Sequence, residues 1–181
     1  MHKEREKALL EDCKAGDRTA METLVRQYER PVYNAAYRML GNPDDAADVT
    51  QTTFTNVLEH LDQFNPKFRF FSWIYRIAVN ESINQLKRRK SCEPLVDTQP
   101  AAGPGIDEIV ASGQVGKEVQ AVLMKLQEDH RAVIVLRYFT ECSYLQIAEI
   151  LRIPEKTVKS RLFSARQQMK SKLKKLGILE G

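Results

Sequence analysis

Apolar residues recur along nearly the whole chain at the three- and four-residue spacings of a buried helical stripe, which predicts an all-α fold. Leu9, Leu10 and Cys13 mark a first helix, which Gly16-Asp17 interrupts. Leu24, Tyr28, Val32, Ala35, Ala36 and Leu40 mark a second stripe, with Pro31 expected to start or bend the helix there. Gly41-Asn42-Pro43 reads as a turn, after which Asp44 or Asp45 caps a helix running to about Leu61. Its core side is Ala46, Phe54, Val57, Leu58 and Leu61. Ser72 reads as the cap of a helix from Trp73 to about Lys90, with Tyr75, Val79, Ile83 and Leu86 on one face. Periodicity then fades over residues 91–108, where Pro94, Pro100, Gly103, Pro104 and Gly105 predict a flexible linker. A further helix from Ile109 to Leu126 buries Val119, Val122, Leu123 and Leu126.

The last third carries the sharpest pattern. Ser143, with Gln146 three residues on, has the spacing of a capping box. Tyr144, Ile147, Ala148 and Leu151 then form one stripe. Pro154 breaks the pattern, so Arg152 to Glu155 is a tight turn. The next helix has its own stripe: Val158, Leu162, Ala165, Met169, Leu173 and Leu176. At 100° per residue, Lys156, Ser160, Phe163 and Gln167 lie opposite that stripe, flanked by Lys159 and Ser164. Arg152, Arg161, Arg166 and Lys170 surround them, against one acid, Glu155. A short helix, a turn and a basic second helix is the helix-turn-helix pattern, whose second helix enters the major groove of DNA. A charged hairpin docked on a protein is the bland alternative. The clean separation of polar, basic and apolar faces favours DNA.

Charge sharpens the first half. The net charge of +4 is modest, but from Gly41 to Pro66 there is no Lys or Arg beside Asp44, Asp45, Asp48, Glu59 and Asp62. From Lys67 to Lys90 the balance reverses, with Glu81 the one acid. Asp45, Asp48, Thr52, Thr55 and Glu59 line the outer side of the acidic helix, with Gln51 at its border. Dipole capping explains its first acids but not the absence of balancing lysines, so we expect a docking face for a basic protein. In Asn65–Phe71 basic and aromatic residues alternate. The row Arg76, Asn80, Asn84 and Lys87 beyond it suits hydrogen bonding to bases and phosphates. Phe68, Phe70 and Phe71 suit stacking on an unpaired base, although at least half of these aromatics are expected to pack the core, with Phe64 and Trp73 foremost.

Three scattered cysteines and three scattered histidines predict neither structural zinc nor a disulfide framework, and a reducing cytoplasm. No apolar run predicts a membrane span and no signal peptide is expected at the N-terminus. No metal, cofactor or small-molecule substrate is expected. A carboxylate-metal hydrolase built on Asp44, Asp45, Asp48 and Glu59 would need a Glu-x-x-His partner that no helix supplies.

Taken together, the order of acidic helix, aromatic-basic helix, linker and helix-turn-helix resembles bacterial RNA polymerase sigma factors of the extracytoplasmic-function (ECF) group. NPDDAADVTQTTF (42–54) is similar to the core-polymerase-binding segment of that family. FFSWIYRIAVNESINQLKRRK (70–90) is similar to its promoter-melting, minus-10-reading helix. HRAVIVLRYF (130–139) and SYLQIAEILRIPEKTVKSRLFSAR (143–166) are similar to its minus-35-binding domain. The resemblance implies a non-enzymatic initiation factor with a minus-10 and core-binding domain over residues 1–90, a linker over 91–108 and a minus-35 domain over 109–181. It implies core polymerase on Asp45, Asp48, Gln51, Thr55 and Glu59. Lys67, Phe68, Arg69, Phe70, Phe71, Arg76, Asn80, Asn84, Lys87 and Arg88 would meet the melted minus-10 element. Arg137, Lys156, Thr157, Lys159, Ser160, Arg161, Phe163, Ser164, Arg166 and Gln167 would meet the minus-35 duplex. The family commonly has acids where Ala47 and Thr52 stand, and often a base where Ser164 stands. An anti-sigma partner is also implied. The competing reading is an ordinary helix-turn-helix regulator, dimeric on a palindrome, that never binds core polymerase.

Overall fold

The computed structural model describes residues 2–92 and 113–178, with side chains over 4–90 and 116–178. The expected linker at 91–108 and the start of the Ile109 helix therefore lie largely outside the described residues. Eight α-helices make up the described fold, and no strand occurs among those residues.

The first module is α1 (His2–Lys14), α2 (Arg18–Leu40), α3 (Pro43–Glu59) and α4 (Phe70–Cys92). Asp17 caps α2, its Oδ1 accepting from the Thr19 and Ala20 amides at 2.8 and 3.1 Å. Pro31 does not start a helix: α2 runs through it. Burial of Leu24, Tyr28, Val32, Ala35, Ala36 and Met39 along one stripe outweighs the roughly 3 kcal/mol that an interior proline costs. Gly41 ends α2 at φ +69°, the left-handed conformation glycine adopts without steric cost.

Two expected caps move. Asn42, not an aspartate, caps α3: its Oδ1 accepts from the Asp44 and Asp45 amides at 2.9 and 3.0 Å. Pro43 occupies the first helical position, where a missing N–H costs nothing, so the cap falls just before it. Helix α4 starts at Phe70 rather than Trp73. Ser72, read as its cap, is instead fully buried inside the helix. The cause is the Phe70 ring, which packs 5.3 Å from Tyr28, 5.5 Å from Phe64 and 5.7 Å from Trp73, centroid to centroid.

The second module holds α5 (Gly113–Met124), α6 (Glu128–Ile134), α7 (Tyr144–Leu151) and α8 (Glu155–Lys175). The chain leaves α6 through a π-helical turn, Val135–Phe139, which no periodicity announces. The capping box at Ser143 forms as expected, with Gln146 Oε1 accepting from Ser143 N at 2.8 Å and Ser143 Oγ from Gln146 N at 3.2 Å. Arg152 closes α7 at φ +52°. Val158, Leu162 and Ala165 bury α8 against α6 and α7. The modules touch: α4 packs on α7, and α2 packs on α5, α6 and the π-helical turn.

Candidate core-docking and DNA-binding surfaces

Helix α3 presents Asp48, Gln51, Thr55 and Glu59 to solvent on one side. Asp45 does not join them. It is half-buried, pairs with Arg89 of α4, and accepts from Gln85 Nε2 at 3.2 Å. The sequence wheel set Asp45 on the outer side because it carries no information about where α4 crosses; two polar groups on α4 draw it inward. Beside the exposed row runs a groove of about 710 Å³ between α2 and α3, lined by Val25, Tyr33, Ala47, Phe54 and Leu58 with Gln51 and Thr55 at its edge. Glu29 and Arg30 complete its α2 side, and a largely apolar trough beside an exposed acidic row is suited to an amphipathic helix with a basic flank. Its α2 wall was missed in the sequence, where those residues read as packing. Tyr33 and Val25, half-buried, give the same periodic signal whether a core or a partner covers them.

The aromatic-basic loop divides. Lys67, Phe68 and Arg69 are exposed, with Phe68 56% accessible. Phe70 is a core ring, 1% accessible, and so is removed from the stacking set; Phe71 is half-buried and lies 4.5 Å from the Tyr75 ring. Between this loop and α1 lies a cavity of about 540 Å³, walled by Leu10, Lys7 and Lys14 on one side and Phe64, Pro66 and Phe68 on the other. The α1 wall, which also carries Glu4, Glu6 and Glu11, was missed as well, because the first helix read as packing.

Along α4, Asn80, Asn84, Lys87 and Arg88 are exposed, the last 3.5 Å from Glu81. Arg76 departs from that row. It is half-buried against α7, where its Nη2 donates to the Glu149 carbonyl at 2.8 Å. Burial, and then Arg152 nearby, lower its pKa against the opposing pull of Glu149.

On α8, Lys156, Lys159, Ser160, Phe163, Ser164, Arg166 and Gln167 form one exposed face, with Thr157 half-buried at its edge. Phe163 is 60% accessible, a large apolar side chain left open amid polar neighbours. Lys159 is held 2.7 Å from Glu155, whose hydrogen bond raises its pKa, so the ammonium charge is secure. Arg161 turns towards α6, 2.7 Å from Asp129. Arg137 donates to the Cys142 carbonyl at 2.9 Å and lies over the Tyr144 ring, so it braces the entry to α7 in this arrangement. No group of three or more His, Cys, Asp or Glu side chains with metal-binding placement occurs among the described residues.

An exposed helix-turn-helix face, a second basic helix beside an aromatic loop, and an apolar groove beside an exposed acidic row are the surfaces that stand out among the described residues. The Sigma-70 region 2 family matches residues 24–92 and the Sigma-70 region 4 family matches residues 116–169. The chain is 33% identical to the ECF RNA polymerase sigma factor SigW of Bacillus subtilis, over 94% of this chain and 97% of that one. It is 34% identical to the ECF RNA polymerase sigma factor SigE of Mycolicibacterium smegmatis, over 88% of this chain and 65% of that one. Among solved structures, CnrH in complex with the cytosolic domain of CnrY matches with a TM-score of 0.70 and 26% identity, over 92% of this chain and 96% of that one. The chain belongs to the ECF RNA polymerase sigma factors. Its function is that of a sigma factor, promoter-directed initiation of transcription with core RNA polymerase. Sigma factors are non-enzymatic initiation factors.

Proposed function

We propose that core polymerase docks at the α2–α3 groove and on the exposed row beside it, Asp48, Gln51, Thr55 and Glu59. The observation that carries this reading is the coincidence of an apolar trough with a face devoid of Lys and Arg from Gly41 to Pro66. In the bound state, Asn80, Asn84, Lys87 and Arg88 read and hold the minus-10 strand. Phe68, with Lys67, Arg69 and Phe71 around it, receives an unstacked base. Residues Lys156 to Gln167 on α8 dock in the minus-35 major groove. Phosphate contacts supply salt-sensitive affinity, and stacking on Phe68 offsets part of the few kcal/mol that unstacking a base costs.

The chain itself performs no bond chemistry in this reading, and its place of work is the cytoplasm. No described helix is long and apolar enough to cross a membrane. The proposed domain division assigns the core and minus-10 surfaces to residues 1–90 and the minus-35 surface to residues 109–181. A protein partner that restrains the factor is part of the proposal, supported by the CnrH complex with a CnrY domain. A regulator that never meets polymerase leaves the α2–α3 groove and the exposed Phe68 without a role.

Promoter mapping with reconstituted holoenzyme tests the two DNA surfaces separately. Asn80→Ala weakens use of promoters in proportion to changes at the minus-10 element. Ser160→Ala does so at the minus-35 element. Each lost base contact lowers discrimination by about 1–3 kcal/mol. Variants whose effects do not separate by element contradict the assignment.

A further inference from the structure

The cavity of about 540 Å³ between α1 and the aromatic-basic loop combines apolar walls with a charged rim. Leu10, Phe64, Pro66, Phe68 and Phe71 supply apolar surface. Glu4, Glu6 and Glu11 of α1 line it together with Lys7, Lys14 and Arg69, so acids and bases balance. Apart from Gln146 of α7, every lining residue belongs to the first module. The site is therefore built almost wholly by that module. Aromatic walls and balanced charge suit a planar, amphipathic ligand rather than a bare ion.

The three carboxylates are not equivalent. Glu4 and Glu11 are exposed, and Glu11 reaches Lys14 at 3.8 Å. Glu6 is half-buried, and its Oε1 accepts from the Tyr28 hydroxyl. Tyr28 is itself buried, its ring 5.3 Å from that of Phe70. Burial, and then the hydrogen bond to Glu6, push the phenol's pKa up, so it stays a donor. That bond fixes one oxygen of Glu6 and leaves the lone pairs of the other to accept from a ligand in the cavity. An acceptor already held in place loses less freedom when a ligand binds.

We propose that Glu6 is a specificity-determining residue that reads the amino group of the base received by Phe68, with Tyr28 as its positioning residue. The proposal rests on the reading of Phe68 as the seat of an unstacked base and adds which bases that site selects. A carboxylate is an acceptor only. Cytosine offers it the N4 amino group and adenine the N6 amino group, whereas thymine sets the O4 carbonyl in the corresponding place. Two acceptors then face each other, and neither is satisfied. The site thus favours cytosine or adenine over thymine. Lys7, Lys14 and Arg69, which line the same cavity, offset the repulsion between Glu6 and the phosphates of the strand.

The test is binding of holoenzyme, reconstituted with the full-length chain, to single-stranded oligonucleotides of the minus-10 non-template strand of a mapped promoter. Each position in turn carries cytosine, adenine, thymine or an abasic site. At one position the wild type prefers cytosine or adenine over thymine by at least about fivefold, the low end of discrimination by a base contact. Glu6→Gln brings that ratio to within about twofold, because a carboxamide also donates to the thymine carbonyl. Tyr28→Phe keeps the ring and lowers the same ratio. Both variants keep their helical circular dichroism and their preferences at the other positions. Removing a negative charge beside a polyanion raises affinity for every strand alike, so the ratio is the readout. No such preference in the wild type, or an unchanged ratio in Glu6→Gln, overturns the proposal. Discrimination lost equally at every position overturns it too, since Glu6 then serves the fold. An unchanged ratio in Tyr28→Phe removes the positioning role of Tyr28. Phe68→Ala judges the base-receiving reading alone: loss of the difference between base and abasic site at that position supports it whatever Glu6 does, and retention removes it.

Discussion

At the scale of single residues, Phe68 and Phe70 show how one motif divides between surface and core. Both belong to the run that the sequence marks as aromatic and basic, and nothing in their spacing separates them. The separation comes from Tyr28, Phe64 and Trp73, which surround Phe70 and leave Phe68 open. Phe70→Ala should therefore cost about 3–5 kcal/mol of stability, read as a lowered unfolding midpoint. Phe68→Ala should change stability by less than about 0.5 kcal/mol yet weaken promoter opening by the roughly 1–3 kcal/mol of a lost base stack. Permanganate reactivity of melted promoter DNA checks the second; equal effects of the two substitutions on stability would contradict the division. Asp45 teaches the same lesson for charge. A wheel assigns it to the outside, but Arg89 and Gln85 on another helix turn it in.

Elements were more legible than residues, because caps and stripes are local. The capping box at Ser143, the stop at Gly41 and the turn before Pro154 all depend on side chains within four positions of the boundary. What periodicity misjudged was decided by distant packing: α2 continues through Pro31, and α4 begins at Phe70 so that its ring reaches the core. Helix α6 carries a further consequence. Its first residue, Glu128, has a pKa lowered from 4.5, first by a hydrogen bond from Lys90 of α4 and then by its own backbone amide, against burial. A carboxyl with a depressed folded pKa adds stability that is fully present above its unfolded value and is lost as pH falls through the folded value. The wild type should thus lose more stability than Glu128→Gln as pH falls from about 6 to about 3. Thermal midpoints across that range check this, and parallel curves would remove the Lys90 contact as a source of stability.

At the scale of the molecule, the sequence carried the order of surfaces but not their mutual placement. Acidic, aromatic-basic and helix-turn-helix stretches are written in composition and period, which is why an exposed acidic row on α3 and exposed basic faces on α4 and α8 were foreseen. That Arg76 faces Glu149, that Arg131 bonds carbonyls of two helices at once, and that α2 supplies one wall of the α2–α3 groove all depend on contacts between distant parts of the chain. The groove is the point on which the proposed function turns, since a sigma factor without core polymerase directs nothing. Retention of purified bacterial core RNA polymerase by the full-length protein, wild type beside Asp48→Lys and Gln51→Ala, tests it most directly. Docking in the groove predicts that the wild type retains core and that Asp48→Lys, which reverses a charge on the exposed row beside it, weakens retention at least about tenfold, or 1.4 kcal/mol, with Gln51→Ala intermediate. Equal retention by all three would contradict docking at the α2–α3 groove, and a wild type that binds promoter DNA but not core would contradict the proposed function as a whole.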